Sequence, residues 1–546
     1  MPGSSAWRRS GRWRRSRPAI GRQFSRELVS RATQLDDRTL DLALAQLTAG
    51  ELIHPLGAPS GDSYSFKHAL VRDAAYGTLL RGRRALIHGR IASELLMRDG
   101  EYPPEIVAHH LTEAGEAERS MAFWERAGQL AVSRAASREA VAHYQHAISQ
   151  LLSLPETIER KRREAGLQDA LGGALAHIAG VESDALAQVH QRVRELSRQT
   201  GDVKRQFVAE WNLWHVHVAR WEHRRAETVG SSLMAMAESV GDPELLLQAL
   251  HVEWSTLGPS GQPMATRSSC DRGWALYDPE RHGRHHLIFG AHDPGACSRV
   301  ICAFETWCLG RPDEALACYE AGLSLARRLD HPLVLLHALA KGLPLFQLLR
   351  DHDRLGAQVD TTLTLAIEQD STNFGMEAEF MRAWILGEKG APDHSARLMQ
   401  DSIREFCSRG ATGVSPYYMA MLAQTQANAN ALDDALATVE AAQERGRLTG
   451  NRWCEPELHR LRGEILCGKG CANEAERSFV AALSRARATE ARGWELRAAT
   501  SLARLWSRRG RRAEAKQLLH PIHGGFTEGH DLLDIRDAEA LLAELA

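Results

Sequence analysis

The chain has 546 residues, 44% of them hydrophobic, 6% aromatic and 25% charged, and its 67 Lys and Arg nearly balance 69 Asp and Glu. That length exceeds one compact core, so the chain is several domains or a repeat array, and the charge balance excludes a general basic field for holding nucleic acid. Nine cysteines, an odd number without a CxxC pair, argue against a disulfide framework or a structural zinc and point to the reducing cytoplasm. No apolar run approaches the roughly 18 residues that a membrane helix needs.

Residues 1–18 carry Arg8, Arg9, Arg12, Arg14, Arg15 and Arg17 with Trp7 and Trp13 and no acidic residue, and read as a disordered start. From 19 to about 100 the pattern is that of a small winged-helix-like domain. A helix is expected from Ser25 to Ala32, and a second from Arg38 to Ile53, capped by Asp36 or Asp37, with Leu40, Leu44 and Leu47 on one face. The Pro, Gly and Asp cluster of HPLGAPSGDSYSF reads as a hairpin, followed by helices from about His68 to Leu80 and from Arg83 to Met97.

From 101 to 546 the chain reads as stacked helical hairpins. Ala435, Ala475 and Ala515 hold equivalent places 40 residues apart, each after a glycine-containing turn, and Ala396 precedes Ala435 by 39. Ala140, Tyr144 and Ala147 repeat the spacing of Ala475, Phe479 and Ala482, and Ala315 with Tyr319 marks another unit. Periods of this size signal a tetratricopeptide-like superhelix, so the fold class is all-α with a small winged-helix remnant. Gly310, Gly390, Gly470 and Gly510 fall at helix ends, where a left-handed residue closes a helix. A less regular section spans about 255–295, with GPSGQP and DPERHGRHH as its loops; Asp293-Pro294 then reads as an N-cap followed by a first-turn proline. The C-terminal FTEGHDLLDIRDAEALLAELA suits a capping helix with an acidic outer face.

The catalytic motifs fail on context. Gly463 to Gly470 nearly fits the phosphate loop, but a glycine replaces the hydroxyl that binds magnesium, and Gly463 lies inside a helix where a strand-to-helix loop is required. His282, His285, His286 and His292 fall in what reads as a solvated loop, without a pair on one helical face, so no metal site is expected there. Trp124, Trp307, Trp384, Trp494, Trp506 and Met399 read as core. The helix before the hairpin carries Asp36, Asp37, Asp41 and Glu51 against Arg38, which disfavours duplex binding; Arg72, Arg83 and Arg84 lie after it.

Several strings together resemble one bacterial family: IGRQFSRELV at 20–29, YSFKHALVRDAAYGTLL at 64–80, ERAGQLAVSRAASREAVAHYQHAISQLL at 125–152, PELHRLRGEIL at 456–466, ELRAATSLARLWSRRGRRAEAKQLL at 495–519 and GFTEGHDLLD at 525–534. They look like the C-terminal half of signal-transduction ATPases with tetratricopeptide repeats, often fused to class III adenylate or guanylate cyclase domains. The ATPase and cyclase domains that precede the winged helix in that family have no counterpart here, and the family's first winged-helix helix would fall on the Arg-rich start. The resemblance therefore implies a non-enzymatic sensor or regulatory half, with no cofactor of its own. It carries over one residue: His68 in FKHAL, matching a histidine that touches bound ADP in related signalling ATPases, where the phosphate would here come from another chain.

The expected function is a protein- or ligand-binding scaffold, with a protein or small effector on the concave face lined by the first helix of each pair. The candidates are His459, Arg460, Glu495 and Arg497, which could equally form salt bridges within the solenoid. The alternatives are a non-catalytic subunit that complements a separate nucleotide-binding chain, and a DNA-binding regulator.

Overall fold

The computed structural model describes residues 23–56, 63–68, 76, 79–97, 102–290, 292–408 and 415–546. The Arg-rich start, most of the helix expected from His68 to Leu80, and Arg72 lie outside them. The chain divides into two compact units, one holding residues 23–180 and 195–202, the other 181–194 and 203–546.

The first unit opens on three short strands, β1 (Gln23–Ser25), β2 (Ile53–Pro55) and β3 (Ser63–Phe66), paired antiparallel in the order β1-β3-β2. The β2–β3 pairing is the expected hairpin, with Ile53 opposite Phe66. β1 is an addition, three residues too short to show an alternating pattern. Ser25 then caps the helix Arg26–Thr33 by accepting from the Leu28 amide at 3.2 Å, and Asp36 caps Asp37–Ala49 by accepting from Thr39 at 3.0 Å. The second helix stops four residues earlier than its leucine spacing suggested. Gly50 closes it, Glu51 turns left-handed at φ 54°, and Ile53 enters the sheet. Leu40 and Leu44 join Phe24 and Ile53 in the core, whereas Leu47 is 37% exposed. The acidic face of this helix is answered from within: Arg26 bonds Asp37 at 3.0 Å and Asp41 at 2.7 Å. Helical hairpins follow, with Gly128 against the Tyr144 ring.

The second unit carries the 40-residue period. Its first helices are Pro294–Cys308, Pro332–Leu348, Thr372–Glu388, Pro416–Asn428, Glu455–Gly468 and Arg492–Arg508, each followed by a second helix, the last being Arg512–His523; Leu533–Glu544 covers the end. Ala315, Leu355, Ala396, Ala435, Ala475 and Ala515 are all buried where each second helix crosses its partner. One turn later Tyr319, Val359, Met399, Val439, Phe479 and Leu519 fill the gap, which gives the period its packing origin.

Gly463 shows the fit. It is helical, and a Cβ there would stand 2.4 Å from the Phe479 ring, so its role in the phosphate-loop look-alike is to admit that ring. The turns between paired helices fall at Gly310, Arg350, Gly390, Asn430, Gly470 and Gly510, and every one has positive φ. Arg350 stands out. Glycine takes that conformation freely and asparagine tolerates it, but another L-residue pays about 1–2 kcal/mol.

The stretch expected as a solvated loop is instead partly packed. Asp278 caps a short helix, Pro279–His282, a single 3-10 turn covers His285–Leu287, and His282 and His285 are both buried. Asp293 does cap the next helix, accepting from the Ala296 amide at 2.8 Å. Among the described residues, no helix is long and apolar enough to cross a membrane.

Candidate functional site

Inside the second unit the first helices converge. Trp307 of the first pair meets Trp494 of the sixth with ring centroids 4.7 Å apart, and Trp453, Tyr417, Tyr418 and Phe380 continue the aromatic contacts at 4.8–6.0 Å. These rings fill the apolar part of the inner face, and edge-to-face contacts add to their burial. Beside them lies a polar cavity of about 200 Å³, walled by the helices Pro332–Leu348, Thr372–Glu388, Pro416–Asn428, Glu455–Gly468, Arg492–Arg508 and Leu533–Glu544.

Four arginines line it: Arg350, Arg460, Arg497 and Arg504. Three are held by partners. Arg497 donates to Asp534 at 2.7 Å and to the Leu348 carbonyl at 2.7 Å, while its guanidinium lies 5.0 Å from the Trp307 ring and 5.2 Å from Trp494. Arg460 grips Glu457 through two bonds of 2.6 and 2.8 Å. Burial alone would raise the Glu457 carboxyl, but the Arg460 guanidinium outweighs it and holds the group below the ordinary carboxylate range. Arg350, from its left-handed turn, reaches Asp537 at 2.9 Å and Asp534 at 3.3 Å. Asp534 and Asp537 thus turn their carboxylates to these arginines, where an acidic outer face was expected of the C-terminal helix.

Arg504 is different. It is half-buried, lines the cavity and has no hydrogen-bond or ion-pair partner among the described residues; the same holds for Glu388 and Gln424 on the facing helices. A wall of fixed ion pairs therefore surrounds one uncommitted cation, one uncommitted carboxylate and one uncommitted amide. Such a surface offers complementary charge to a small ligand without rearranging its own framework.

Of the residues singled out from sequence, Arg460 and Arg497 reach this cavity. His459 pairs instead with Gln443 at 3.2 Å, and Glu495 with the exposed Arg487 at 2.6 Å. His68 lies just past β3 and is exposed. Arg83 and Arg84 sit in the first turn of the helix Arg81–Met97, and Arg84 lies over the Tyr76 ring at 5.3 Å. A larger open groove in the first unit, about 600 Å³, has its arginines committed: Arg31 to Glu94 at 2.6 Å and Arg90 to the Ala32 carbonyl at 3.2 Å.

A second concentration of chemistry lies in the less regular section. His251, His292 and Cys297 bring their ligand atoms within 4.8 Å of one another. His251 and Cys297 are buried and His292 is partly buried. Desolvation pushes His292 down to about 4 and His251 well below the ordinary histidine range, so both rings are neutral at pH 7. His337 stacks on His292 at 4.2 Å, and Lys341 nearby is paired with Glu377 at 2.8 Å. His292 belongs to the sequence cluster 282–292, but its partners come from other elements. No spacing rule joins a helical histidine to a loop histidine 41 residues later.

No protein-family model matches the chain. Over 423 residues it is 24% identical to an uncharacterized protein of Rhizobium meliloti (strain 1021), a match covering 76% of this chain and 41% of that protein. The chain thus spans about two-fifths of the length of this curated relative. Among solved structures it is similar to a Rap protein complexed with Competence and Sporulation Factor, at 11% identity and a TM-score of 0.40, covering 64% of this chain and 99% of that one. It is also similar to the Rap conjugation gene regulator of plasmid pLS20 in complex with the Phr* peptide, at 12% identity and a TM-score of 0.40, covering 60% and 92%. Yeast Tom70 matches at 13% identity and a TM-score of 0.31, covering 85% and 97%.

Proposed function

We propose that the chain is a binding scaffold whose second unit receives a small zwitterionic group, a free amino acid or the terminus of a peptide, in the polar cavity between its first helices. The observation that carries this reading is the uncommitted Arg504 and Glu388 in a cavity whose other charges are paired. A carboxylate suits Arg504, an ammonium suits Glu388, and Gln424 serves either. The pinned arginines around them are preorganised, so occupancy costs little side-chain ordering. In this reading the chain is the sensor or regulatory half of a signalling ATPase or cyclase system, as the family resemblance implies. The exposed His68 would then meet the phosphate of a nucleotide held by a separate chain.

The test is a thermal-shift screen of the full chain against free amino acids and dipeptides. At least one compound is expected to raise the melting temperature of the wild type and to lose most of that effect in Arg504→Ala. No stabilising compound, or equal stabilisation of both proteins, would overturn the reading.

A further inference from the structure

The buried histidines present a conflict of lone pairs. His292 Nδ1 faces the Gly290 carbonyl at 2.9 Å, and a carbonyl only accepts, so Nδ1 carries the proton and Nε2 is bare. On the other side, His285 Nε2 points at the Glu244 carboxylate 3.8 Å away, which favours a proton on Nε2 and leaves His285 Nδ1 an acceptor. Gln248 Nε2 donates to that Nδ1 at 2.9 Å, so Gln248 Oε1 faces His251 Nδ1 at 3.1 Å and requires a proton there. His251 Nε2 is then bare as well. Reversing the Gln248 amide would need a proton on His285 Nδ1 and would turn a bare nitrogen toward Glu244.

The two bare nitrogens, His251 Nε2 and His292 Nε2, stand 2.9 Å apart. Two lone pairs at that distance repel unless something positive lies between them. A shared proton would place an imidazolium pair in the interior, where a charge without a counterion is costly. Cys297 Sγ completes the triangle. Its thiol is pushed up to about 12 by burial, while the Trp254 and Ser255 side chains favour the thiolate.

We propose that His251, His292 and Cys297 form a binding site for one borderline-soft transition-metal ion of the Zn²⁺ class, held between the two Nε2 atoms and the Cys297 thiolate. Imidazole and thiolate are the ligands such an ion prefers, and a tetrahedral zinc keeps its ligands roughly 3.3–3.8 Å apart, given bonds of about 2.0 Å to nitrogen and 2.3 Å to sulfur. The nitrogens, 2.9 Å apart, must open by a few tenths of an ångström. Each histidine already donates its other N–H to an oxygen, the outer arrangement that orients metal-bound imidazole. On binding, Cys297 releases its proton to solvent and the ion replaces it. The Lys341 ammonium opposes a cation here, and its ion pair with Glu377 at 2.8 Å offsets that charge.

The test uses the full chain, freed of metal by chelator and titrated with Co²⁺ under reducing conditions. One equivalent is expected to produce a thiolate-to-cobalt charge-transfer band together with visible bands of tetrahedral intensity, and Zn²⁺ is expected to abolish both. Cys297→Ser, an isosteric change, removes the charge-transfer band, whereas Cys454→Ser retains it. Gln248→Ala, which releases the His251 tautomer, weakens Co²⁺ binding by about 10–100-fold. Circular dichroism of each variant confirms that it is folded. A folded wild type without the charge-transfer band, or a band that survives in Cys297→Ser, would overturn the proposal.

Discussion

The later pairs, from Pro332 to His523, and the stretch from Pro243 to Cys308 belong to the same unit but spend their buried positions differently. In the regular pairs the helix crossings are apolar and repetitive, as at Ala475 with Phe479 a turn later, and buried polar side chains such as Gln347, Gln358 and Glu457 lie away from those positions. Ionised groups stay at the cavity or on the outside, and at the cavity the arginines other than Arg504 are paired. In the other stretch the interior holds Gln248, His251, His282, His285 and Glu305, together with Cys270, Cys297, Cys302 and Cys308. Polar burial of that density is costly unless every group finds a partner. The contrast teaches that the period marks packing, and that chemistry gathers where the period lapses, at the histidine cluster and again at Arg350, where a turn glycine is replaced.

The contrast can be broken most forcefully from the packing side. Phe479→Ala empties a fully buried site in the regular pairs and is expected to lower unfolding stability by about 3–5 kcal/mol, measured by denaturant titration with a probe near the C-terminal helices. A loss below about 1 kcal/mol would mean that the repeat interior is loosely packed.

Next comes a pH effect confined to the irregular stretch. Burial raises the Glu305 carboxyl to about 8, from an ordinary value of 4.5. The folded state then holds a proton that the unfolded state has released. The stability this contributes is fully present below pH 4.5 and is lost as pH rises toward 8, at up to about 1.4 kcal/mol per pH unit. Glu305→Gln is expected to remove that loss, so the variant gains on the wild type from pH 5 to 8 and shows no such gain below pH 4.5. Parallel melting curves across the range check this, and a constant difference would contradict it.

The smallest effects separate packing from surface within one string. Gly463→Ala drives a methyl into the Phe479 ring and is expected to cost about 1–3 kcal/mol. Lys469→Ala, six residues on, loses only an ion pair with the exposed Asp433 and is expected to cost less than about 1 kcal/mol. Equal costs would refute the reading of this string as a helix crossing and its turn.

The helical array was legible because one packing solution recurs at 40-residue intervals, and the left-handed turns at Gly310, Gly390, Gly470 and Gly510 followed from it. β1 was not legible, since three residues carry no period. Ile53 was drawn into a helix because Leu40, Leu44 and Leu47 promise continuity that Gly50 and Glu51 end. Arg460 and Arg497 were reachable as first-helix residues. Arg350 had a signal that went unused: in the series Gly310, Arg350, Gly390, Asn430, Gly470, Gly510 it is the residue least suited to positive φ. Arg504, two turns after Arg497 on the same helix, could have been found by asking which side chains share its face. His251 and Cys297 had no such signal, because only the fold brings them to His292.

The central claim is that ligand is received where the first helices converge. Amide hydrogen exchange on the full chain, with and without the stabilising amino acid or dipeptide, tests it most directly. Slowed exchange concentrated in Pro332–Leu348, Thr372–Glu388, Arg492–Arg508 and Leu533–Glu544 is the expected result. Protection confined to helices that do not line the cavity would contradict it.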